Sequence, residues 1–368
     1  MSVSESHRIL LVTYPRTASN LLVRILNLPD QLNVYTPNAL AGYLFTSAAA
    51  REIHDSNAWA APLDAWPGET ADRVKQCYRD GFTETQKTVS KGAELGKVVF
   101  VKEHIQGLLH PLAQQRFIFG GDTALKPEDL RQWDFSTTLG ENVTRSPLND
   151  TVLPDKSLES WKPVFLIRHP ALAFPSQYRV FRVLKGDEDE DPSGGGERWL
   201  NLFLTLHWTR RLYEFYCAKY GNGGELDRVP NTGDEGEGRV EGDPSPQRLL
   251  DLPVILDADD IITSPVIVKR LASQIGMDIS SLKFKWDAMP VEDRKMVSPL
   301  LQTMLSTLLA SDGIQVAKAA GQAVDIEAEK KKWGAEWGER KARKMERWVQ
   351  AAMGDYLFLR ERRMKCEV

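Results

Sequence analysis

No stretch of these 368 residues approaches 18 uninterrupted apolar positions, so no membrane span is expected. The opening MSVSESHRILL lacks the basic start and long apolar core of a secretory leader. Cysteine is scarce. Cys77, Cys217 and Cys366 stand apart with no C-x-x-C pair, which argues against a disulfide framework or a zinc site and points to the cytoplasm. In that compartment the sequons Asn142-Val-Thr144 and Asn149-Asp-Thr151 are fortuitous. Internal repeats are missing, and so is a basic patch interleaved with aromatics, so no nucleic-acid partner is expected. Also missing are the glycines and lysine of the nucleotide loop G-x-x-x-x-G-K-[ST].

What is present is an ordinary globular composition, 42% apolar and 27% charged. The net charge of -4 is unevenly spread. Residues 183–197 carry six acids and one base, and residues 221–247 seven acids and two bases. Residues 329–365 carry twelve bases and six acids. The two acidic, Gly- and Pro-rich stretches read as disordered surface insertions within a single domain spanning 1–368.

Short β-branched runs at Arg8–Val12, Lys97–Val101, Pro163–Ile167 and Leu252–Leu256 have the look of buried parallel strands. Helical patterns separate them, among them Leu200–Tyr220 and Pro265–Ile275. Strands alternating with helices predict an α/β fold: a central, mostly parallel sheet flanked by helices, of the P-loop nucleotide-binding type. Residues 120–160 read as a long irregular excursion of the kind that serves as a lid. The end of the chain, Glu329–Met364, reads as a helix followed by a short anchoring segment.

After the first strand comes TYPRTASNLL, residues 13–22. A strand-to-helix loop presents backbone N–H groups and the positive end of the helix dipole to an anion. Thr17 and Ser19 add hydroxyls, Asn20 can cap the helix, and Arg16 brings a planar, permanent charge suited to phosphate oxygens. With no lysine and adjacent Ser/Thr to seat magnesium, the stretch fits an anion cradle without a metal. A plain polar-capped connection fits it equally well.

Two further stretches bear on that choice. FVKEHIQGLL puts Lys102 and His104 at the carboxyl end of a strand, on one side of it, with Glu103 opposite. A Lys-x-His pair can be structural or catalytic. VFLIRHPALAFPSQYR sets Arg168 eight residues before Ser176 across another strand-helix junction, a second anion site separate from the first.

In this order the three pieces resemble one family, the sulfotransferases that use 3′-phosphoadenosine 5′-phosphosulfate (PAPS). The family's T-Y-P-K-S-G-T-T-W is similar to Thr13-Tyr14-Pro15-Arg16-Thr17-Ala18-Ser19-Asn20-Leu21. Its K-T-H-L-P matches Lys102-Glu103-His104-Ile105-Gln106 in spacing. Its R-x-P with a later Ser matches Arg168-His169-Pro170 and Ser176. Its L-F-Y-E-D and following helix resemble Ile255-Leu-Asp-Ala-Asp259 and the stretch ending Gln274-Ile-Gly276, and WGAEWGERKARKMERWVQ resembles the last helix of a divergent, fungal-like microbial branch. Arg16 stands for the family's lysine and Ala18 for its glycine. Leu21 and Asp257 replace aromatics that stack on adenine. The late basic R-K-G has only Lys318 and Lys332 as counterparts.

The resemblance implies sulfuryl transfer from PAPS to a hydroxyl of a small-molecule acceptor, with no metal. It implies His104 as general base, with Lys102 and Arg16 stabilising the departing phosphate. Arg16, Thr17, Ala18, Ser19, Asn20, Arg168 and Ser176 would hold the nucleotide. A histidine base predicts a rate rising through a pKa near about 6.5. Tyr43, Phe45, Trp59, Trp66, Trp133 and Phe135 suggest an aromatic pocket for a phenol or apolar alcohol. Two rivals remain. A P-loop kinase or NTPase would bind ATP with magnesium, and a catalytically eroded sulfotransferase-like protein would bind without turning over.

Overall fold

The computed structural model describes residues 7–46, 48–58, 61–120, 133, 144–185, 195–223, 252–319 and 324–365. Five parallel strands form one sheet: β1 (Arg8–Thr13), β2 (Val34–Tyr35), β3 (Val98–His104), β4 (Lys162–Ile167) and β5 (Val254–Asp257). Their order is β2-β3-β1-β4-β5. The connections supply α1 (Ser19–Leu26), the long α2 (Gly68–Glu94), α3 (Pro170–Lys185), α4 (Gly195–Phe203) and α5 (His207–Gly223). After β5 come α6 (Ala258–Thr263), α7 (Pro265–Gln274), α8 (Pro299–Ala310), α9 (Ile326–Trp337) and α10 (Glu339–Glu361), with shorter helices between.

The expected α/β architecture is present because the strands are apolar on both sides. Ile9, Leu11 and Phe100 meet Leu22 and Ile25 of α1 and Val268 and Leu271 of α7. Leu10, Val12, Val101 and Phe165 meet Val74 of α2, Phe174 of α3, Tyr216 of α5 and Val349 of α10. Each such side chain withdrawn from water contributes about 1.5–3 kcal/mol, so two covered faces hold the sheet. Strand β1 lies between β3 and β4, and the chain runs to opposite sides of it. Ligands of open α/β sheets bind at such a switch point, beyond the carboxyl ends of the strands. Thr13 and His104 end two of these strands.

Several boundaries differ from the sequence reading. The helix expected over Leu200–Tyr220 is two helices, because Thr205 Oγ1 accepts from His207 N (3.1 Å) and starts the second. The final helix is likewise a hairpin of α9 and α10. Gly338, at φ 84°, breaks it in a conformation that strains any residue with a Cβ. Trp333, Met345 and Val349 bury the seam, and Arg179 of α3 pairs with Glu336. The fourth expected strand begins at Val254 rather than Leu252, after Pro253, which has no N–H to donate to a ladder.

The ends of the acidic stretches, 195–197 and 221–223, are helical. The remainder of both expected insertions lies outside the described residues, apart from 183–185 at the end of α3. In the proposed lid, residues 121–132 and 134–143 also lie outside them. What is described returns as packed structure. Arg145 donates to the carbonyls of Thr151, Val152 and Leu153, and Asn149 donates to Asp155 Oδ1 (2.8 Å). Asn149 is therefore buried inside a network and is no glycan acceptor. Among the described residues, no helix is long and apolar enough to cross a membrane.

Candidate active site

The loop between β1 and α1 is held from within. Thr17 Oγ1 donates to Tyr14 O (2.7 Å), so this hydroxyl turns into the protein. Arg16 and Ala18 both adopt left-handed φ, 67° and 63°. Ala18 is the N-cap of α1 and has no side chain to cap with. The first-turn N–H groups of α1 thus keep no intrahelical acceptor, the arrangement that binds anions. Left-handed φ costs a residue with a Cβ about 1–2 kcal/mol. Ala18→Gly should remove that strain and raise unfolding stability by up to about 1 kcal/mol, after the unfolded chain's gain in entropy. A denaturant melt checks this, and a clear loss of stability would show that the loop is unstrained.

Asn20 does not cap the helix as expected. It lies one residue inside, and its Oδ1 accepts from Lys102 Nζ (2.6 Å). Lys102 is fully buried, with Nζ 4.6 Å over the Tyr43 ring. Burial pulls its pKa down to about 8. His104 lies on the same side of β3, and its Nδ1 is 2.7 Å from Thr13 Oγ1. Burial first, then the charges of Lys102 and Arg16, lower the imidazole to about 3. A pKa near 6.5 was expected from sequence. Periodicity gives a residue's face but not its desolvation.

Glu103 faces the opposite side, as expected. Its Oε2 accepts from Phe45 N (3.2 Å) and Thr46 Oγ1 (3.0 Å), and burial pushes it up to about 8. It fastens the segment that carries Tyr43. That segment needs Gly42, because a Cβ there would lie 1.9 Å from Lys102 O.

The two anion sites read as separate from sequence are one. Arg16 Nε donates to Ser176 Oγ (2.9 Å), and Arg168 Nη1 donates to Arg16 O (3.1 Å). Arg16 Nη1 also donates to Met304 O (2.6 Å) and Arg168 Nη2 to Lys318 O (2.9 Å). Arg168 Nε is buried without a partner. Neither guanidinium has a carboxylate at ion-pair distance among the described residues. Burial and mutual repulsion with Arg168 lower the pKa of Arg16.

They border a cavity of about 290 Å³ that Arg16, Ala18, Ser19, Asn20, His104, Arg168 and Ser176 all line. Thr17 and Lys102 lie just behind its wall. Of the late basic residues, Lys318 lines the cavity, whereas Lys332 is exposed and paired with Glu329.

Sequence reasoning missed much of the other wall. Met304, Leu305 and Leu308 of α8 line it, with Leu21, Leu172 and Ile262. The apolar run PLLQTMLSTLLA was its signal. Of the aromatics expected at the acceptor, Tyr43 reaches the cavity, 4.9 Å from the His104 ring, with its phenol hydrogen-bonded to Ser19. Phe45, Trp66 and Trp133 are core residues. Trp59 and Phe135 lie outside the described residues. Asp257 is spent on structure. Its Oδ1 accepts from Asp259 N at the start of α6, and its Oδ2 from the Tyr356 hydroxyl (2.9 Å).

Sulfotransferase ppzF of Metarhizium rileyi (strain RCEF 4871) is 34% identical over 360 residues, 98% of this chain and 97% of its own length. The chain belongs to the sulfotransferase family. Sulfotransferase ppzF of Metarhizium majus (strain ARSEF 297) is also 34% identical, over 97% of this chain and 96% of its own. No family model and no solved structure matches the chain. Membership makes it a transferase of the fungal-like branch.

Proposed function

We propose that the protein moves a sulfuryl group from PAPS to a hydroxyl of a small apolar alcohol or phenol. The observation that carries this reading is the pair of half-buried guanidiniums, Arg16 and Arg168. They border one cavity with the first turn of α1, have no carboxylate at ion-pair distance among the described residues, and have a neutral imidazole beside them. Two half-buried cations repelling each other beside a cavity favour an anion there, although Asp257 and Asp259 offset part of the charge of Arg168. Two such cations, both lining the cavity, suit a ligand with two phosphate groups. Arg168 and Ser176 would hold the 3′-phosphate, and Arg16, Ser19 and the α1 N–H groups the 5′ end. At about 290 Å³ the cavity is at the small end of ligand sites.

In the transfer, His104 takes the proton of the acceptor hydroxyl as its oxygen bonds to sulfur. The bond from sulfur to the 5′-phosphate oxygen breaks, and its electron pair stays with the nucleotide. Lys102 and Arg16 supply positive charge to that oxygen, the kind of preorganised stabilisation that dominates such transfers. Arginine keeps its proton, so its contribution is electrostatic. The aliphatic wall from α8 and Leu172 would shelter the acceptor from water.

Calorimetry tests the donor. Adenosine 3′,5′-bisphosphate should bind without metal, and far more tightly than ATP with magnesium. Tighter binding of ATP with magnesium would transfer the site to the kinase reading. Bisphosphate binding with no turnover of any acceptor would leave an eroded binding protein.

A further inference from the structure

Thr13 and His104 are register partners on adjacent parallel strands. Both are buried, with exposures of 0% and 6%, so their polar atoms must satisfy one another. Thr13 Oγ1 has two neighbours, Glu103 O at 3.2 Å and His104 Nδ1 at 2.7 Å. A hydroxyl has one proton to give and can also accept, whereas a carbonyl only accepts. Both contacts are hydrogen bonds in one arrangement alone: Thr13 donates to Glu103 O and accepts from Nδ1–H. The reverse arrangement leaves two oxygens facing each other lone pair to lone pair.

We propose that Thr13 is the positioning residue that fixes His104 in the Nδ1–H tautomer, leaving the lone pair on Nε2 toward the cavity. The other tautomer would put a proton where the base must receive one. Valine fills about the same space as threonine, so replacing Thr13 with valine removes the hydroxyl and little of the packing. The tautomer stands on the ring nitrogens alone, and its effect on rate rests on His104 being the base.

Imidazole 15N spectra read it directly. The chain has six histidines, and His104→Asn identifies the signals of position 104 by their loss. The wild type should show Nδ1 protonated and Nε2 bare. Thr13→Val should shift the population toward Nε2–H and lower kcat by about tenfold or more at every pH, with bisphosphate affinity kept. Thr13→Ser should restore both. An Nε2–H wild type, or Thr13→Val with an unchanged tautomer, would overturn the inference. A switched tautomer with kcat unchanged would uphold the role of Thr13 and remove His104 as the base. Should Thr13→Val not fold, the wild-type and Thr13→Ser spectra still decide.

Discussion

Replacing His104 with alanine is expected to lower turnover by about a hundredfold or more while bisphosphate affinity stays within a few-fold. The imidazole touches Thr13 and the Tyr43 ring, whereas the cations lining the cavity that would hold phosphate are Arg16 and Arg168. Removing it takes away a base and leaves those cations in place. Bisphosphate calorimetry and turnover separate the two roles. A purely structural histidine would lose binding together with rate. An acceptor with a very acidic phenol should partly rescue the variant, because it arrives without its proton. Wild-type turnover of a weakly acidic acceptor by His104→Ala would remove His104 from the mechanism.

His104 and Lys102 set the pH dependence. His104 must be neutral, which holds above its lowered pKa of about 3. Lys102 must be charged, which holds below its lowered pKa of about 8. In the wild type, kcat/KM for the donor, which reports the free enzyme, should therefore be flat from about pH 4 to neutrality and fall as pH rises past about 8. A bound polyanion offsets the repulsion that Lys102 and Arg16 exert on an imidazolium. Both limbs of kcat should then lie at higher pH than those of kcat/KM. An acid limb of kcat/KM near pH 6.5 would mean that His104 is solvated in the working enzyme.

Four of the five parallel strands were legible because they are near-continuous apolar runs, and a run of about five such residues between polar flanks has few other destinations. The two-residue edge strand β2 gives no such run. The helix breaks were not. Thr205 starts one helix through a side-chain cap and Gly338 ends another through a positive φ, and neither disturbs the spacing of apolar residues around it. At the site, Lys102, His104 and Glu103 were placed on their correct faces because a strand has a period of two. The union of Arg16 with Ser176 joins residues 160 positions apart, and local pattern cannot reach that far. Tyr43 was taken for acceptor wall alone, since its contact with Lys102 depends on Gly42 pairing with the Lys102 main chain.

Arg168→Ala is expected to abolish most of the preference for a 3′-phosphate. A hydrogen bond to a charged group is worth about 1.5–3 kcal/mol, or roughly a 10- to 150-fold loss of bisphosphate affinity. Affinity for the analogue lacking the 3′-phosphate should change little. Arg168 also braces two carbonyls, Arg16 O and Lys318 O, so truncation could loosen the loop as a whole. The ratio of the two affinities distinguishes these effects. A slack loop weakens both ligands alike and leaves the ratio intact, whereas a lost phosphate contact lowers the ratio. Ser176→Ala is the milder companion: its hydroxyl steadies Arg16, and its loss should lower the ratio less than Arg168→Ala does. Arg168→Lys keeps a charge but not the planar fork, and should fall between the wild type and alanine. If Arg168→Ala still preferred the bisphosphate as strongly as the wild type does, the 3′-phosphate would have to be held elsewhere, with Lys318 the first residue to replace.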